Sequence, residues 1–259
     1  MKKKYHIDCL PYDIHKKTPF TFDDNGVLLT KIPYTDAYHY HLTAIASYVI
    51  DTSNKDNLNW ILDNTDKKGA YHHKFTFPFY PMEEGWVGGL AQGLAISALI
   101  KHGYAEEAQK VLSALKLYCY DGTCIYEYPK IEILNGWIYA LFGVYDAGDT
   151  LFFNKNIELL KQKLPSYDQK NMWSKYDSYT NYPSTEFYHI IHLKQMRVLF
   201  ELTGDVIFLD YYNKWKKQLY SPICRTWSKY KKITSAIMTN GFVKSYKRYR
   251  IRKRWSNEV

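Results

Sequence analysis

A chain of 259 residues, 46% of them hydrophobic, is long enough to bury one sizeable core, and this composition excludes extensive intrinsic disorder. No stretch approaches the roughly 18 uninterrupted apolar residues of a membrane-spanning helix, and the charged N-terminus lacks the apolar segment of a signal peptide. The net charge of +9 comes from the C-terminal part, because residues 225–259 hold eleven Lys and Arg residues against one acid, so the body of the protein is not basic.

Residues 1–37 are predicted to form an extended segment, and residues 38–220 a helical domain in which apolar residues recur at helical spacing. The predicted helices come in four pairs. Their sequences are "YHYHLTAIASYVID" with "NKDNLNWILDNTD", "LAQGLAISALIKHG" with "AEEAQKVLSALKLY", residues 131 to about 145 with "DTLFFNKNIELLKQKL", and "STEFYHIIHLKQMRVLFELTG" with "DVIFLDYYNKWKKQL". Ser184 and Gly204 are the predicted caps of the seventh helix.

Two other segments interrupt or follow these helices. The prolines and alternating residues of "GAYHHKFTFPFYPMEEGWVGG" indicate strand or loop, and Asp121-Gly122 between Cys119 and Cys124 indicates a hairpin turn. The four cysteines match no zinc-binding pattern, so we expect thiols in a reducing compartment. Residues 221–259 are predicted to be a basic C-terminal extension.

Four consecutive helical hairpins predict a mainly α fold, an α/α barrel with a small β-hairpin element, although an ordinary helical bundle also fits the pattern. Polar and aromatic residues cluster at or just before the first helix of each pair. In such a barrel the first helix of each pair is the inner helix. If the inner helices run parallel, the clusters meet at one end of the barrel, where helix N-termini favour an anion. The clusters contain Tyr38 to His41, Trp86 to Gln92, Glu127 and Tyr128 with Asn135, and Tyr188 with His189.

His189 and His192 lie three residues apart on one helix face, a spacing that could hold a metal ion. No carboxylate or cysteine stands at a suitable spacing to complete such a site. Hydrogen-bonding roles for both histidines, and no metal or cofactor, are therefore expected.

Four ordered segments of the chain resemble the C-terminal helical domain of the D-glucuronyl C5-epimerases, which convert glucuronic acid to iduronic acid within heparosan-type polymers. The resemblance covers about residues 38–219. The segments are "GWVGGLAQGLAISALI", "YEYPKIEILNGWIYALFGVYD", "SKYDSY" and "EFYHIIHLKQMRVLFELTGDVIFLDYYNKWKKQL".

The resemblance implies that the acid/base residues are Glu127, Tyr128, Tyr176 and Tyr188. Inversion requires one group to remove the C5 proton and another to return a proton to the opposite face, while donors stabilise the enolate-like intermediate. We expect Glu127 with Tyr128 on one face and Tyr188 on the other. Tyr176 would support the glycosidic oxygen or the carboxylate.

Six further residues are candidate substrate contacts: Tyr38, Trp86, Gln92, Asn135, His189 and His192. Trp86 could stack on a sugar ring or lie in the core, and Gln92 and Asn135 could equally hold backbone groups. The family has a basic residue shortly after its tyrosine-aspartate step, whereas this chain has Ser178-Tyr179-Thr180. The sequence therefore does not identify which polymer is the substrate.

Three alternative functions compete with epimerisation. A uronic-acid polysaccharide lyase shares the first proton removal, and a glycan-binding protein could keep the fold without catalysis. Glycoside hydrolysis needs two facing carboxylates, for which the matched segments offer Glu127 with Asp177 or Glu186.

The expected partner is an anionic, uronic-acid-containing polysaccharide, with a role in capsule or exopolysaccharide synthesis in the cytoplasm. The basic segment "KSYKRYRIRKRW" could bind that glycan, an acidic inner-membrane surface or RNA, or it could be a solvated extension. Nucleic acid is disfavoured because the body lacks a recognised motif. The sequence does not decide whether the protein forms an oligomer.

Overall fold

The computed structural model describes residues 9–11, 20–32, 37–77, 80, 82–178, 180 and 182–240. The described part is mainly helical, as the sequence predicts. Its nine α-helices are α1 Leu42–Thr52, α2 Lys55–Asp63, α3 Gly89–Lys101, α4 Ala105–Cys119, α5 Leu134–Asp146, α6 Thr150–Lys163, α7 Glu186–Thr203, α8 Val206–Tyr220 and α9 Pro222–Asn240. Strands β1 Phe20–Phe22, β2 Leu28–Lys31 and β3 Tyr38–His39 form one antiparallel sheet, and β4 Asp168–Gln169 pairs with β5 Trp173–Ser174.

The helices pack as the four predicted pairs, α1 with α2, α3 with α4, α5 with α6, and α7 with α8. The first members also contact one another in chain order, from α1 through α3 and α5 to α7. Residues 89–99 of α3 and 134–144 of α5 are all buried, because these helices are apolar on every side. Closure of this row into an α/α barrel remains a prediction.

Glycines bring α3 and α5 into close backbone contact at the centre of the row. A methyl group added at Gly93 would lie 2.5 Å from Ala140 Cα, and one added at Gly143 would lie 2.3 Å from the Gly93 carbonyl oxygen. Backbone atoms cannot rotate away as side-chain ends can, so a side chain at either position would separate the two helices.

We expect Gly143→Ala to lower the free energy of unfolding by about 2 kcal/mol, since overpacking outweighs the gain in helix propensity. Urea denaturation at neutral pH measures this change. Ser113→Ala, on the exposed face of α4, is the control and should leave stability nearly unchanged. A Gly143→Ala protein as stable as the wild type would show that this contact does not limit the packing.

Two predicted helix boundaries are wrong. The α7 N-cap is Thr185, whose hydroxyl accepts a hydrogen bond from Tyr188 N, and not Ser184, which instead contacts Ser174 Oγ at 2.9 Å. Helix α5 begins at Leu134 and not at residue 131, because Ile131 and Ile133 form β-bridges with Tyr128 and Asp177.

Other local predictions are confirmed. Gly204 caps the end of α7 with φ +71°, and a Tyr120–Ile125 bridge closes the turn at Asp121-Gly122. Cys119 and Cys124 are buried beside this turn, and burial raises the pKa of each thiol to about 12.

The predicted C-terminal extension begins with a helix, α9, and residues 241–259, which include "KSYKRYRIRKRW", lie outside the described residues. Within the described part, no helix combines the length and apolar content needed to cross a bilayer.

Candidate active site

Glu127 lies in the loop before α5, with its side chain against the first turn of that helix. Two glycines provide the space. A methyl group added at Gly136 would lie 2.1 Å from Glu127 Oε2, and one added at Gly88 would lie 2.8 Å from the Glu127 carbonyl oxygen. The Glu127 residue is only 7% exposed, and its position therefore depends on the absence of side chains at both glycines.

The environment of the Glu127 carboxyl group favours its neutral form. Burial raises its pKa to about 8, the nearby Asp177 carboxylate adds to this effect, and a hydrogen bond with Tyr128 opposes it. Within the described part of the chain, Glu127 Oε2 is buried without a hydrogen-bond partner. Such a group can donate a proton, as a general acid must.

Tyr128 lies in an aromatic layer beside Glu127. Its ring centroid is 5.0 Å from that of Tyr80, in a stacked arrangement, and 5.2 and 5.3 Å from those of Trp86 and Phe77, edge-on. The Tyr128 residue is 9% exposed. The layer fixes the orientation of the Tyr128 ring next to the Glu127 carboxyl group.

Tyr80 connects this layer to Asp177. Its hydroxyl donates to Asp177 Oδ2 at 2.9 Å, while Asp177 Oδ1 accepts from the amide and hydroxyl of Thr180. Asp177 is therefore a buried, hydrogen-bonded carboxylate. Sequence reasoning missed Tyr80, although the aromatic and proline-rich run around it was a usable signal.

Tyr176 and Tyr188 complete the cluster. Their ring centroids are 4.4 Å apart. The Tyr176 carbonyl oxygen accepts from Leu134 N at 3.1 Å, which fastens this segment to the start of α5, and Tyr188 lies in the first turn of α7. Burial raises the pKa of Tyr176 well above 10, and its charge interactions with Tyr188, Glu127 and Tyr128 raise it further.

The four predicted acid/base residues thus lie in one cluster, although about 50 residues separate Tyr128 from Tyr176 and Tyr188. Tyr176 and Tyr188 are partly exposed, whereas Glu127 and Tyr128 are nearly buried. Two surface grooves lie away from this cluster, one beside Lys216 and Lys217 and one beside Asp66 and Lys110.

An aromatic network joins the N-terminal ends of the inner helices. The ring of His41, the N-cap of α1, packs against Phe75 with centroids 5.3 Å apart. The Phe75 ring in turn packs against Trp86, with centroids 5.7 Å apart, and Trp86 packs against Tyr128. Tyr188 stands at the start of α7. The residues that precede the inner helices therefore lie at one end of the row, which agrees with the predicted meeting of the four clusters.

Trp86 and Gln92 are engaged inside the protein. The Trp86 ring stacks on His73 with centroids 3.8 Å apart, and its Nε1 donates to the Phe75 carbonyl oxygen at 2.6 Å. The fully buried Gln92 amide donates to the Gly69 carbonyl oxygen and accepts from Tyr71 N. These contacts favour positioning roles, with Gln92 holding the segment between α2 and α3.

Tyr38 and Asn135 occupy opposite environments. Tyr38 is 45% exposed on the short strand β3, whereas Asn135 is 1% exposed in the first turn of α5. The Asn135 carbonyl oxygen accepts from Gln195 Nε2, and its own Oδ1 is buried without a partner among the described residues. Their roles in substrate binding remain predictions.

His189 and His192 converge on one hydroxyl. The Nδ1 atoms of both rings lie 2.8 Å from Ser174 Oγ, and His189 Nε2 lies 3.0 Å from the Trp215 carbonyl oxygen. Because a carbonyl only accepts, His189 Nε2 carries the proton and its Nδ1 accepts. His192 Nδ1 then donates to Ser174 Oγ if the Ser174 hydroxyl donates to His189.

Acid should weaken the fold through these imidazoles. Burial lowers the pKa of His189 from 6.5 to about 4 and that of His192 well below 6.5. The unfolded chain therefore binds more protons than the folded chain between pH 6.5 and 4, so stability is fully present above this window and declines as pH falls through it.

We expect the free energy of unfolding to lose about 1.4 kcal/mol per pH unit in this window through His189 alone. Urea denaturation of the wild type and of His189→Gln at pH 7, 6 and 5 isolates this contribution as the difference between two slopes. Parallel profiles would show that His189 is not the responsible group.

The family model described as D-glucuronyl C5-epimerase C-terminus matches residues 65–217, more than half of the chain, and this range includes Glu127 and the three clustered tyrosines. The chain belongs to this family. The suspected resemblance of its sequence to the D-glucuronyl C5-epimerases is thereby confirmed.

Two curated proteins are similar to this chain over part of their length. An uncharacterized protein of Methanocaldococcus jannaschii is 28% identical over 67% of this chain and 65% of its own length. The D-glucuronyl C5-epimerase of Caenorhabditis elegans is 27% identical over 41% of this chain and 21% of its own length. The chain thus spans about two thirds of one relative and about a fifth of the other.

Proposed function

We propose that this protein is a C5-epimerase that inverts D-glucuronic acid units to L-iduronic acid units within an anionic polysaccharide. The observation that carries the proposal is the convergence of Glu127, Tyr128, Tyr176 and Tyr188. Membership of the epimerase family supports the same reaction class.

The chemistry of the cluster supports proton transfer on two faces of a sugar ring. Glu127 is a buried carboxyl group with a raised pKa and a hydrogen bond to Tyr128, and Tyr188 lies at the start of a different helix, with its ring centroid 4.4 Å from that of Tyr176. A tyrosine base with an ordinary pKa near 10 costs about 4 kcal/mol to deprotonate at pH 7, a small part of the barrier that an enzyme lowers.

In the proposed reaction, Tyr188 and the Glu127–Tyr128 pair act on opposite faces of C5. One group removes the proton, which leaves an enolate-like carboxylate, and the other returns a proton to the other face. Neutral hydroxyl donors such as Tyr176 stabilise the charge that develops on the sugar carboxylate or the glycosidic oxygen.

Incubation with heparosan in D₂O tests the proposal. Nuclear magnetic resonance should show deuterium at C5 of glucuronic acid units and the appearance of iduronic acid units. Uronic-acid polymers other than heparosan form parallel samples, because this chain lacks the basic residue that follows the tyrosine-aspartate step in the family.

The same samples separate the competing reactions. Ultraviolet absorbance from unsaturated uronides would identify a lyase, and shortened chains with new reducing ends would identify a hydrolase. Binding to the polymer without deuterium exchange would identify a glycan-binding protein. Each of these results would contradict epimerisation.

A further inference from the structure

Helix α9 exposes several large apolar residues, while Trp227 and Ile237 are half-buried. Ile223, Tyr230 and Ile233 are 74%, 67% and 60% exposed, and their spacings of seven and three residues place them on one side of the helix. The positions turned towards the protein include Ser228 and Ser235, each 7% exposed. A surface helix of a globular protein normally has the opposite arrangement.

The exposed residues Ile223, Tyr230, Ile233 and Met238 form what we call the α9 stripe. Met238 is 84% exposed. Large apolar side chains grouped in this way indicate an interaction surface, because a solvent-facing helix gains nothing from them.

Exposed lysines lie on α9 and near its start. Lys229 is exposed on α9 itself, and Lys216 and Lys217 line a groove with the exposed Tyr220 at the junction of α8 and α9. In the sequence, residues 241–259 hold seven further Lys and Arg residues and one acid. The described surface is therefore both apolar and cationic.

We propose that α9 docks on a membrane surface that contains anionic lipids, with the α9 stripe among the acyl chains and the lysines at the headgroups. An amphipathic helix with basic residues beside an apolar face is suited to this position. The attachment is peripheral.

Two other occupants fit the surface less well. An anionic polysaccharide would satisfy the lysines but has no apolar layer for Ile223, Ile233 and Met238. A second copy of the chain could cover the stripe, but it would bring an equally cationic surface against the first one.

An exposed ion pair links α9 to α7. Arg225 makes two hydrogen bonds of 3.0 Å to the Glu186 carboxylate in the first turn of α7, two residues before Tyr188. Docking through α9 would therefore keep the candidate active site close to the membrane surface.

Cosedimentation of the full chain with vesicles tests the proposal. We expect binding to phosphatidylcholine vesicles that contain phosphatidylserine, weaker binding at high salt, and no binding to pure phosphatidylcholine. The double variant Ile223→Ser/Ile233→Ser should bind at least about tenfold more weakly, because less apolar surface enters the bilayer.

Leu151→Ser is the matched control, since Leu151 is 85% exposed on α6, away from the α9 stripe. This variant should bind as the wild type does. The triple variant Lys216→Gln/Lys217→Gln/Lys229→Gln should also lose at least about tenfold in vesicle binding.

Three results would overturn the proposal: no vesicle binding at low salt, vesicle binding unchanged in the double isoleucine variant, or a dimer that only this variant dissociates. Heparin binding without vesicle binding would identify a polysaccharide surface instead. C5 deuterium exchange on a free polymer should be unchanged in the isoleucine variant, so this test is independent of the proposed enzymatic activity.

Discussion

Tyr188→Phe should abolish deuterium incorporation at C5 from one of the two epimers. The phenol is the proposed acid/base group on one face of the sugar, and removal of such a group lowers the rate by about 10²- to 10⁴-fold. The phenylalanine ring keeps the contact with Tyr176, whose centroid lies 4.4 Å away, so the fold should be unaffected. Single-turnover exchange in D₂O, started separately from glucuronic and iduronic acid polymers, measures the loss.

Tyr118→Phe is the control for this substitution, because Tyr118 is 42% exposed on α4. It should exchange deuterium at the wild-type rate. Full exchange by Tyr188→Phe from both epimers would remove Tyr188 from the proton-transfer chemistry and leave it a packing role.

Glu127→Gln should be less active than the wild type. Its stability relative to the wild type should increase as pH rises. Glutamine occupies the space beside Gly136 but cannot transfer a proton, so we expect a loss of about 10²- to 10⁴-fold in exchange rate. Burial raises the pKa of Glu127 from 4.5 to about 8. The folded protein therefore binds more protons than the unfolded chain between these values, and ionisation of Glu127 in the unfolded chain lowers stability progressively as pH rises from 4.5 to 8.

The stability of Glu127→Gln relative to the wild type should increase by about 1.4 kcal/mol per pH unit across this window. Urea denaturation at pH 5, 6.5 and 8 measures it. Glu158→Gln, at an exposed position on α6, should follow the wild type in both activity and pH profile. If Glu127→Gln also shows the wild-type pH profile, Glu127 is ionised in the folded state and is not a neutral acid.

The helical pairs could be predicted from sequence because helical periodicity is a local signal. In α4, for example, Ala108, Val111, Leu112 and Leu115 are the buried side of a regular helix. The wrong helix boundaries occur where two neighbouring residues suit the same local role and tertiary contacts decide between them. Ser184 and Thr185 are both good N-caps, and the contact with Ser174 uses the first of them.

The grouping of the four candidate residues was predictable, but their supporting contacts were not, and their acid/base roles stay predictions. Glu127 and the three tyrosines follow from the resemblance to the epimerases. A buried amide such as that of Gln92 can serve a sugar or the backbone equally well, and only the positions of Gly69 and Tyr71 decide between them. Tyr80 lies far in sequence from Asp177, so no local pattern indicates their hydrogen bond.

A crystal structure with a bound glucuronic acid oligosaccharide would test the central claim most directly. We expect one sugar ring with the Tyr188 hydroxyl on one side of C5 and the Glu127–Tyr128 pair on the other, each within about 3.5 Å of C5. A ring that both groups approach from the same side, or an oligosaccharide bound only in the groove beside Lys216 and Lys217, would contradict it.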